Sequence, residues 1–558
     1  MVSCQLSAAN VTLVTLVSTF PIEHLGDGMT YRNHSALAPP PLDAAAIACL
    51  ASPPPPPPPP PTPPPTHRKR HAKHTPPPGA ASWLSSIVNL LNTIVGAGVL
   101  AMPHALANMG ILLGTAVILW AGLTAGFGLY LQTRCARYLD RGSASFFALS
   151  QLTYPNAAVL FDAAIAVKCF GVGVSYLIII GDLMPGVVRG FGYGEAGWAV
   201  DRQFWVTAFM LIVIPLSFLR RLDSLKYTSF IALVSIAYLV VLVVYHYAAG
   251  DTLPERGAVN VIKWQGAIAT LASFPVIVFA YTCHQNMFSI LNELTTPTPL
   301  RTTTVVASSI ATAASIYILV AITGYLSFGS NVLGNIVAQY TPSAASTIGR
   351  AAIVVLVIFS YPLQVHPCRA SLDAVAKWRP ASKPGSAGGR AQPPPPAHKF
   401  PPKGSSSALP AEMSDLRFAL LTTAIILLSY TVAMTVTSLD KVLAYVGSTG
   451  STAISFILPG LFYYKISAPE SALQQRLLKD EDDEEGYEGS EAEEGEGEGE
   501  QSGAGEALFW GGVWGPRGRG RAWRRGLLRK MSLALAVYGV GVMVTCLAIN
   551  IFFAPVTH

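Results

Sequence analysis

Charged residues are scarce in this chain of 558 residues, because only 12% of it is Asp, Glu, Lys or Arg, against roughly 25% in ordinary soluble domains. Three long stretches contain no charged residue at all: 74–133, 302–349 and 531–558. About 20 apolar residues are enough for a helix to span a bilayer. The scarcity of charge therefore excludes an ordinary soluble protein and predicts a polytopic membrane protein.

Cysteine is also sparse, with seven residues, no CxxC pair and no spacing typical of a metal site. We expect these residues to be single thiols of the membrane segments and the tail. The chain lacks HExxH, GxSxG and paired aspartates on facing apolar segments, which are patterns of hydrolytic and intramembrane enzymes. We therefore expect no enzyme, no cofactor and no metal site beyond a transported cation.

Apolar sequence is what the chain has in abundance. Eleven apolar segments, here called segments 1 to 11, span 84–108, 111–133, 158–186, 203–219, 226–248, 266–291, 302–328, 347–367, 416–438, 441–464 and 531–554. Their lengths match the thickness of a bilayer crossed by helices. They predict an all-α polytopic membrane protein with eleven transmembrane helices.

A low-complexity tail and two long loops divide the chain into six parts. A proline run and two long loops without hydrophobic periodicity cannot build a core. The second loop includes residues 480–506, which hold 14 of the 31 acidic residues. The predicted parts are a disordered proline-rich tail at 1–82, segments 1 to 8 at 83–368, a disordered loop at 369–415, segments 9 and 10 at 416–464, a disordered acidic and then basic loop at 465–530, and segment 11 at 531–558.

The positions of Lys and Arg predict the orientation. With the N-terminus in the cytosol, 30 of the 37 Lys and Arg residues lie on the cytosolic side, as the positive-inside rule requires. Most of this bias comes from the tail and the two long loops. We therefore expect a cytosolic N-terminus and a lumenal or extracellular C-terminus. The stretch 510–525 interleaves Trp with Arg and suits anionic lipid, so membrane lipid and not nucleic acid is the expected partner.

Segments 1 and 6 are each interrupted. Gly96, Gly98 and Pro103 interrupt segment 1, whereas segment 6 contains Pro275 and the polar cluster TCHQN near its middle. Glycine lets a backbone approach a ligand closely, and polar residues at mid-membrane depth are costly unless they face a cavity or a partner helix. Two interrupted helices five segments apart are typical of inverted repeats that bind substrate at the breaks. The alternative that the glycines only pack helices together stays open.

Four motifs carry a resemblance to a known family. They are NTIVGAGVLAMP in segment 1, KCFGVGVSYLIIIGDLMP in segment 3, FAYTCHQNMFSILNEL in segment 6 and SYPLQVHPCRASL in segment 8. In this order they resemble the amino acid/auxin permease family, and within it the vacuolar amino acid transporters and the sodium-coupled neutral amino acid transporters. The resemblance covers 83–466 and segment 11. It implies a LeuT-type five-plus-five inverted repeat plus one helix, with an amino acid substrate between segments 1 and 6.

The resemblance also implies site residues. The substrate-binding residues would be Ile94, Val95, Gly96, Ala97 and Gly98 at the break of segment 1, and Thr282, Cys283 and His284 at the break of segment 6. Sodium-coupled members bind the cation through an Asn on segment 1 and a Thr on segment 8. The matching residues here are Asn92 and Ser360. Serine keeps the hydroxyl of threonine and loses its methyl group, so a sodium site stays open.

Two titratable residues make the proton the other candidate for the coupling ion. Lys168 lies within segment 3, and a desolvated lysine can lose its proton near neutral pH. His284 carries an imidazole, which titrates near neutral pH in ordinary surroundings. The alternatives are that Lys168 snorkels or pairs with Asp162, and that His284 is a hydrogen-bonding strut. We expect coupling to a proton, which agrees with the resemblance to vacuolar transporters.

The expected function is secondary active transport of an amino acid by alternating access. The expected location is the vacuole or another endomembrane, and the plasma membrane stays open. The two alternatives are a sodium-coupled neutral amino acid transporter and an amino acid receptor that signals through its cytosolic loops.

Overall fold

The computed structural model describes residues 81–139, 141–192, 197–219, 228–377, 413–469 and 517–553. Segment 1 consists of the helices Trp83–Ile94 and Met102–Met109, and segment 6 of Ala267–Ala280 and His284–Glu293. The other segments are Ile111–Ala136, Ala158–Gly190, Arg202–Ser217, Thr228–Ala249, Pro299–Phe328, Ala344–Lys377, Asp415–Thr435, Leu439–Ile466 and Arg517–Phe552. Two short helices, Phe146–Thr153 and Ile336–Gln339, lie in the connections after segments 2 and 7.

Nine of the described helices are long and apolar enough to cross a membrane, and the two halves of segment 1, bent by 47°, make a tenth. Segment 4 falls short because its helix has 16 residues, about 24 Å, whereas the hydrocarbon core is about 30 Å thick. The chain is therefore a mostly helical, multi-pass membrane protein. Ten of the eleven predicted crossings meet the length that a bilayer requires.

Segment 4 nevertheless has partners at both of its ends. Arg202, at its start, forms a salt bridge with Asp182 of segment 3, with 3.4 Å between Nε and Oδ1. Arg202 also donates to the carbonyl of Ala433 in segment 9 at 3.0 Å. At the other end, Arg369 of segment 8 donates to the carbonyl of Ser217 at 3.3 Å. These contacts connect the short helix to opposite ends of the bundle.

The two ends of the bundle are identified by contacts near the first helix. The indole of Trp83 donates to Thr304 in segment 7 at 3.0 Å, and the backbone N–H of Ala81 donates to the carbonyl of Glu293 at 2.9 Å. Segment 1 thus begins where segment 6 ends and segment 7 begins. We call this end the N side and the opposite end the far side. Segment 1 runs from the N side to the far side, and segment 6 runs the other way.

The helices differ in how much of their surface the bundle encloses. Segments 10 and 3 are 83% and 78% buried along their apolar windows, whereas segments 9 and 11 are each 28% buried. Segments 3 and 10 therefore lie at the centre, and segments 9 and 11 leave most of their surface for lipid. The five described cysteines are buried and form no disulfide, as expected for single membrane thiols. Cys4 and Cys49 lie outside the described residues.

Segment 8 extends into a loop that the sequence predicts to be disordered. The helix passes Pro362 and Pro367 without ending and reaches Lys377. Asp373 stabilises this extension because its carboxylate lies 2.5 Å from the amine of Lys377 and 3.2 Å from the guanidinium of Arg417. The helix therefore continues nine residues past 368, the predicted end of this part of the chain, because polar contacts that hydrophobicity alone does not indicate hold it.

Segment 11 also begins earlier than predicted, at Arg517 instead of residue 531. Arg529 anchors the added turns, because its guanidinium lies 4.5 Å from the ring centroid of Tyr464 in segment 10. Its Nε also donates to the carbonyl of Tyr464 at 3.2 Å. The remaining predictions of disorder, for 1–80, 378–412 and 470–516, lie outside the described residues.

Candidate functional site

The helical geometry of segments 1 and 6 is interrupted near the middle of each segment. The first helix of segment 1 ends at Ile94, and Val95 is extended with φ −82° and ψ 99°. In segment 6 the first helix ends at Ala280 and the second begins at His284. Pro275 lies inside the first of these helices, so the break falls at the polar cluster and not at the proline.

Tyr317 of segment 7 joins the two breaks. Its hydroxyl oxygen lies 2.8 Å from the carbonyl oxygens of both Ile94 and Ala280, which are the last residues of the two half-helices. Carbonyls at helix C-termini lack partners within the helix, and a hydroxyl has one proton to donate. Tyr317 can therefore satisfy one carbonyl at a time and leaves the other for a donor such as an ammonium. No signal in the sequence points to Tyr317, because segment 7 carries neither a charge nor an interruption around it.

A cavity of about 230 Å³ lies between segments 1, 3, 5, 6 and 8, at the two breaks. Nine of the residues predicted to bind substrate or the coupling ion line it: Asn92, Ile94, Val95, Gly96, Ala97, Gly98, Lys168, Thr282 and Ser360. Tyr176, Gln285, Asn286 and Gln364 also line it and were not predicted. Gln285 and Asn286 belong to the polar cluster of segment 6, so their residue type was the signal that could have identified them.

Two buried oxygens in this cavity lack a hydrogen-bond donor. They are Asn92 Oδ1 and Gln285 Oε1, each buried without a partner in the described structure. A buried polar atom left unpaired costs about 1–3 kcal/mol, so both oxygens favour a ligand that brings donors or positive charge. Ser360, the other predicted cation ligand, donates its proton to the carbonyl of Leu356 at 2.8 Å, so its oxygen can only accept or coordinate.

Lys168 is the one charged side chain among the described residues that line the cavity. It is 4% exposed, and none of the ion pairs found among the described residues includes Lys168 or Asp162. The pairing with Asp162 considered from the sequence is therefore wrong. An ammonium buried without a counter-charge is costly. The free energy of protonating Lys168 therefore depends on what else the cavity holds.

Cys283 and His284 are not among the residues that line the cavity. Both are fully buried, and Nε2 of His284 lies 3.1 Å from the carbonyl oxygen of Ala125 in segment 2. Successive residues at a helix break point in different directions, so Thr282 reaches the cavity and its two neighbours do not. The predicted role of Cys283 and His284 as substrate ligands therefore has no support from this cavity and stays a prediction. In this structure, His284 connects segments 6 and 2 through its contact with Ala125.

The two glycines of segment 1 have different surroundings. A Cβ atom on Gly98 would lie 2.6 Å from Cβ and 2.8 Å from Cα of Ala280, whereas a Cβ on Gly96 would meet nothing within 4 Å. Gly98 therefore allows segments 1 and 6 to touch, and Gly96 keeps space open in the cavity. A second cavity of about 500 Å³ begins one turn further along both segments, at Ala101 and Val276. The contact between Gly98 and Ala280 separates the two cavities.

The connection between segments 7 and 8 covers the far side. Residues 330–334 line the second cavity, and Arg350 of segment 8 holds the next part of the connection. Its guanidinium donates to the carbonyls of Val337 at 3.2 Å, Ala338 at 3.3 Å, and Tyr340. The ring of Tyr340 stacks on His246 of segment 5, with centroids 4.2 Å apart. These contacts fix the covering connection to segments 5 and 8.

Comparison with known proteins identifies the family. A family described as transmembrane amino acid transporter protein matches residues 79–481. The chain is 43% identical to vacuolar amino acid transporter 5 of Schizosaccharomyces pombe, over 72% of this chain and 90% of that protein. It is 41% identical to vacuolar amino acid transporter 6 of Saccharomyces cerevisiae, over 70% and 91%.

A more distant relative is human sodium-coupled neutral amino acid transporter 7, which is 28% identical over 52% of this chain and 64% of that protein. The resemblance carried by the four motifs is therefore confirmed. The chain belongs to the transmembrane amino acid transporter family, the amino acid/auxin permeases, whose members are transporters and not enzymes.

Proposed function

We propose that this protein moves an amino acid across the vacuolar membrane or another endomembrane by alternating access, driven by a proton gradient. The observation that carries the proposal is the cavity at the facing breaks of segments 1 and 6, with Lys168 in its wall. The vacuolar relatives, at 41–43% identity, support the substrate class and the location.

We further propose eleven crossings in a LeuT-type arrangement, in which segments 1–5 and 6–10 form inverted repeats and segment 11 is additional. The opposite directions of segments 1 and 6, their matching breaks and their contact at Gly98 and Ala280 support this. The contacts of Arg202 and Ser217 at opposite ends of segment 4 support counting that segment as a crossing.

The breaks present opposite partial charges to a zwitterion. The turn that begins at Ala97 offers backbone N–H groups, which favour the α-carboxylate, whereas helix C-termini favour a cation. The carbonyls of Ile94 and Ala280 are such C-terminal groups, and Tyr317 satisfies one of them at a time. The substrate ammonium would take the other. Thr282, Gln285 and Asn286 add side-chain polar groups to the same cavity.

The proton is favoured over sodium because Lys168 lines the same cavity as Asn92 and Ser360. A protonated lysine there repels a second cation, and a neutral lysine loses that effect. Sodium coupling is the second candidate, since Asn92 Oδ1 is buried without a donor and could coordinate a cation. If the protein is a receptor, it binds the amino acid but does not transport it.

The experiment that tests this function is uptake by the full-length protein reconstituted in vesicles. A panel of labelled amino acids is added in sodium-free buffer with the external medium one pH unit more acidic than the lumen. We expect accumulation of about tenfold for one coupled proton, because one pH unit corresponds to 1.36 kcal/mol. A protonophore should remove it. Uptake that follows a sodium gradient at fixed pH would favour sodium coupling, and binding without counterflow would favour a receptor.

The proposed orientation places the N side in the cytosol. The sequons at Asn10 and Asn33 should then carry no sugar when the protein is made in cells. A sequon in a flexible insertion after Ser330, on the far side, should be glycosylated, because the acceptor site would lie in the lumen. The same insertion after Gly142 on the N side is the control and should stay unmodified. The reverse pattern on gel shift with glycosidase would invert the topology.

A further inference from the structure

A groove of about 970 Å³ lies between the ends of segments 10 and 11 on the N side. None of its lining residues belongs to either cavity at the breaks. Its wall on segment 11 carries basic residues first and apolar residues on the following turns: Arg525, Arg529, Lys530, Leu533, Ala534 and Val537. Tyr464 of segment 10 and Ser467, the residue after its end, form the opposite wall.

The groove changes polarity along the axis of segment 11. From Arg529 to Val537 the helix rises about 12 Å, which is enough to pass from the headgroup region into the hydrocarbon region of one leaflet. Leu533 is 38% exposed and Val537 is 64% exposed. In a bilayer, the basic end would therefore lie at headgroup depth and the apolar wall at the depth of acyl chains.

Arg529 is held in place before any ligand arrives. The guanidinium packs on the ring of Tyr464, and Nε donates to the Tyr464 carbonyl at 3.2 Å. This uses one of the five N–H donors of the guanidinium, and the terminal nitrogens keep the paired geometry that suits two oxygens of a phosphate. Arg525 and Lys530 add positive charge on neighbouring turns of the same wall.

We propose that this groove binds an anionic phospholipid, with the headgroup phosphate against Arg525, Arg529 and Lys530 and one acyl chain along Ala534 and Val537. The basic residues could serve only to set the topology. That role explains their charge, but it does not explain the apolar groove next to them. Free phosphate would leave the apolar wall without a partner, and only a lipid matches both parts. This inference does not depend on which ion drives transport.

The test is binding of defined lipids to the full-length protein, measured by native mass spectrometry in a neutral detergent. We expect saturable adducts with dioleoyl phosphatidylserine and none with dioleoyl phosphatidylcholine at equal concentration. The combined variant Arg525→Gln, Arg529→Gln and Lys530→Gln should bind on the order of 100-fold more weakly, at about fivefold for each basic residue removed. Ala534→Phe should also weaken binding, because it fills the apolar wall without changing the charge.

The matched control removes three arginines elsewhere on the N side, by Arg134→Gln, Arg137→Gln and Arg141→Gln, and should leave the adducts unchanged. Where the combined groove variant does not fold, Lys530→Gln with Arg525→Gln keeps the contact between Arg529 and Tyr464 and should lose about 25-fold. Equal loss in the control variant would overturn the proposal.

Two further results would also contradict a lipid site. If millimolar inorganic phosphate displaced phosphatidylserine completely and Ala534→Phe had no effect, the groove would hold an anion only. If adducts formed only after deletion of residues 480–506, the acidic part of this chain would be the occupant. Persistence of adducts in phosphate and in the full chain is the expected result.

Discussion

Replacing Lys168 with Met should abolish concentrative uptake while exchange of substrate across the membrane continues. Lys168 is the one charged group among the described residues of the cavity wall and is almost fully buried. Whether Lys168 keeps its proton depends on what else the cavity holds, because the cost of a buried ammonium depends on nearby counter-charges. Methionine keeps the length of the side chain and removes the proton.

The expected effect is large. With an imposed gradient of two pH units, a transporter that couples one proton can concentrate its substrate about 100-fold, whereas the variant should reach a ratio of about one. Accumulation and counterflow are measured on the same vesicles, so a variant that fails to fold is recognised by the loss of both. Lys168→Arg should behave like Lys168→Met in accumulation, since arginine keeps its charge at all accessible pH values.

Asn92→Ala provides the matched comparison, because Asn92 lines the same cavity and belongs to the competing sodium site. If the proton is the coupling ion, Asn92→Ala should at most lower the affinity for substrate, and its uptake should still depend on the pH gradient. If Lys168→Met still concentrated substrate and Asn92→Ala did not, the coupling ion would be sodium and the proposed role of Lys168 would be wrong.

Replacing Gly96 with Val should weaken substrate binding strongly without preventing assembly. The space beside Gly96 is empty of protein atoms within 4 Å and belongs to the cavity, so the added methyl groups would stand where the substrate binds. Crowding of a packed site costs about 1–3 kcal/mol, which corresponds to a 5- to 150-fold loss of affinity. Gly96→Ala should give a smaller loss. Binding of the labelled amino acid to purified protein measures both.

Gly98→Ala is the control. Gly98 lies two residues from Gly96, but its substitution should lower stability and should not fill the substrate site. Its Cβ would overlap Ala280, including the Cα atom, so segments 1 and 6 would have to separate and the melting temperature should fall. If Gly96→Val bound substrate normally, the site would lie away from segment 1. If Gly98→Ala were as stable as the unmodified protein, the two segments would not touch there.

The sequence predicts the broken helices and the family well because both depend on local residue types. Glycines at 96 and 98 and the TCHQN cluster mark positions where a regular helix is unfavourable, and the structure interrupts both segments there. The charge-free stretches likewise predict spans, since hydrophobicity over 20 residues is a local property. Segment 4 shows the limit of this reasoning, because its 16-residue helix depends on contacts at its ends.

The direction of individual side chains at a break does not follow from the sequence. Thr282, Cys283 and His284 are consecutive, yet only Thr282 lines the cavity. Once helical periodicity is lost, neighbours point according to what packs around them, and here His284 meets the carbonyl of Ala125. Tyr317 shows the same limit, since its role depends on two carbonyls that lie 223 and 37 residues away along the chain.

The thin contact between the two cavities has an electrical consequence. The cavity at the breaks and the far-side cavity are separated by about one helical turn around Gly98 and Ala280, roughly 5 Å, out of a hydrocarbon core of about 30 Å. If water connects each cavity to the solution on its own side of the membrane, most of the membrane voltage falls across that turn. A charge that passes it crosses nearly the whole potential, worth about 2.3 kcal/mol per 100 mV. Transport that carries net charge past Gly98 would therefore depend on the membrane voltage.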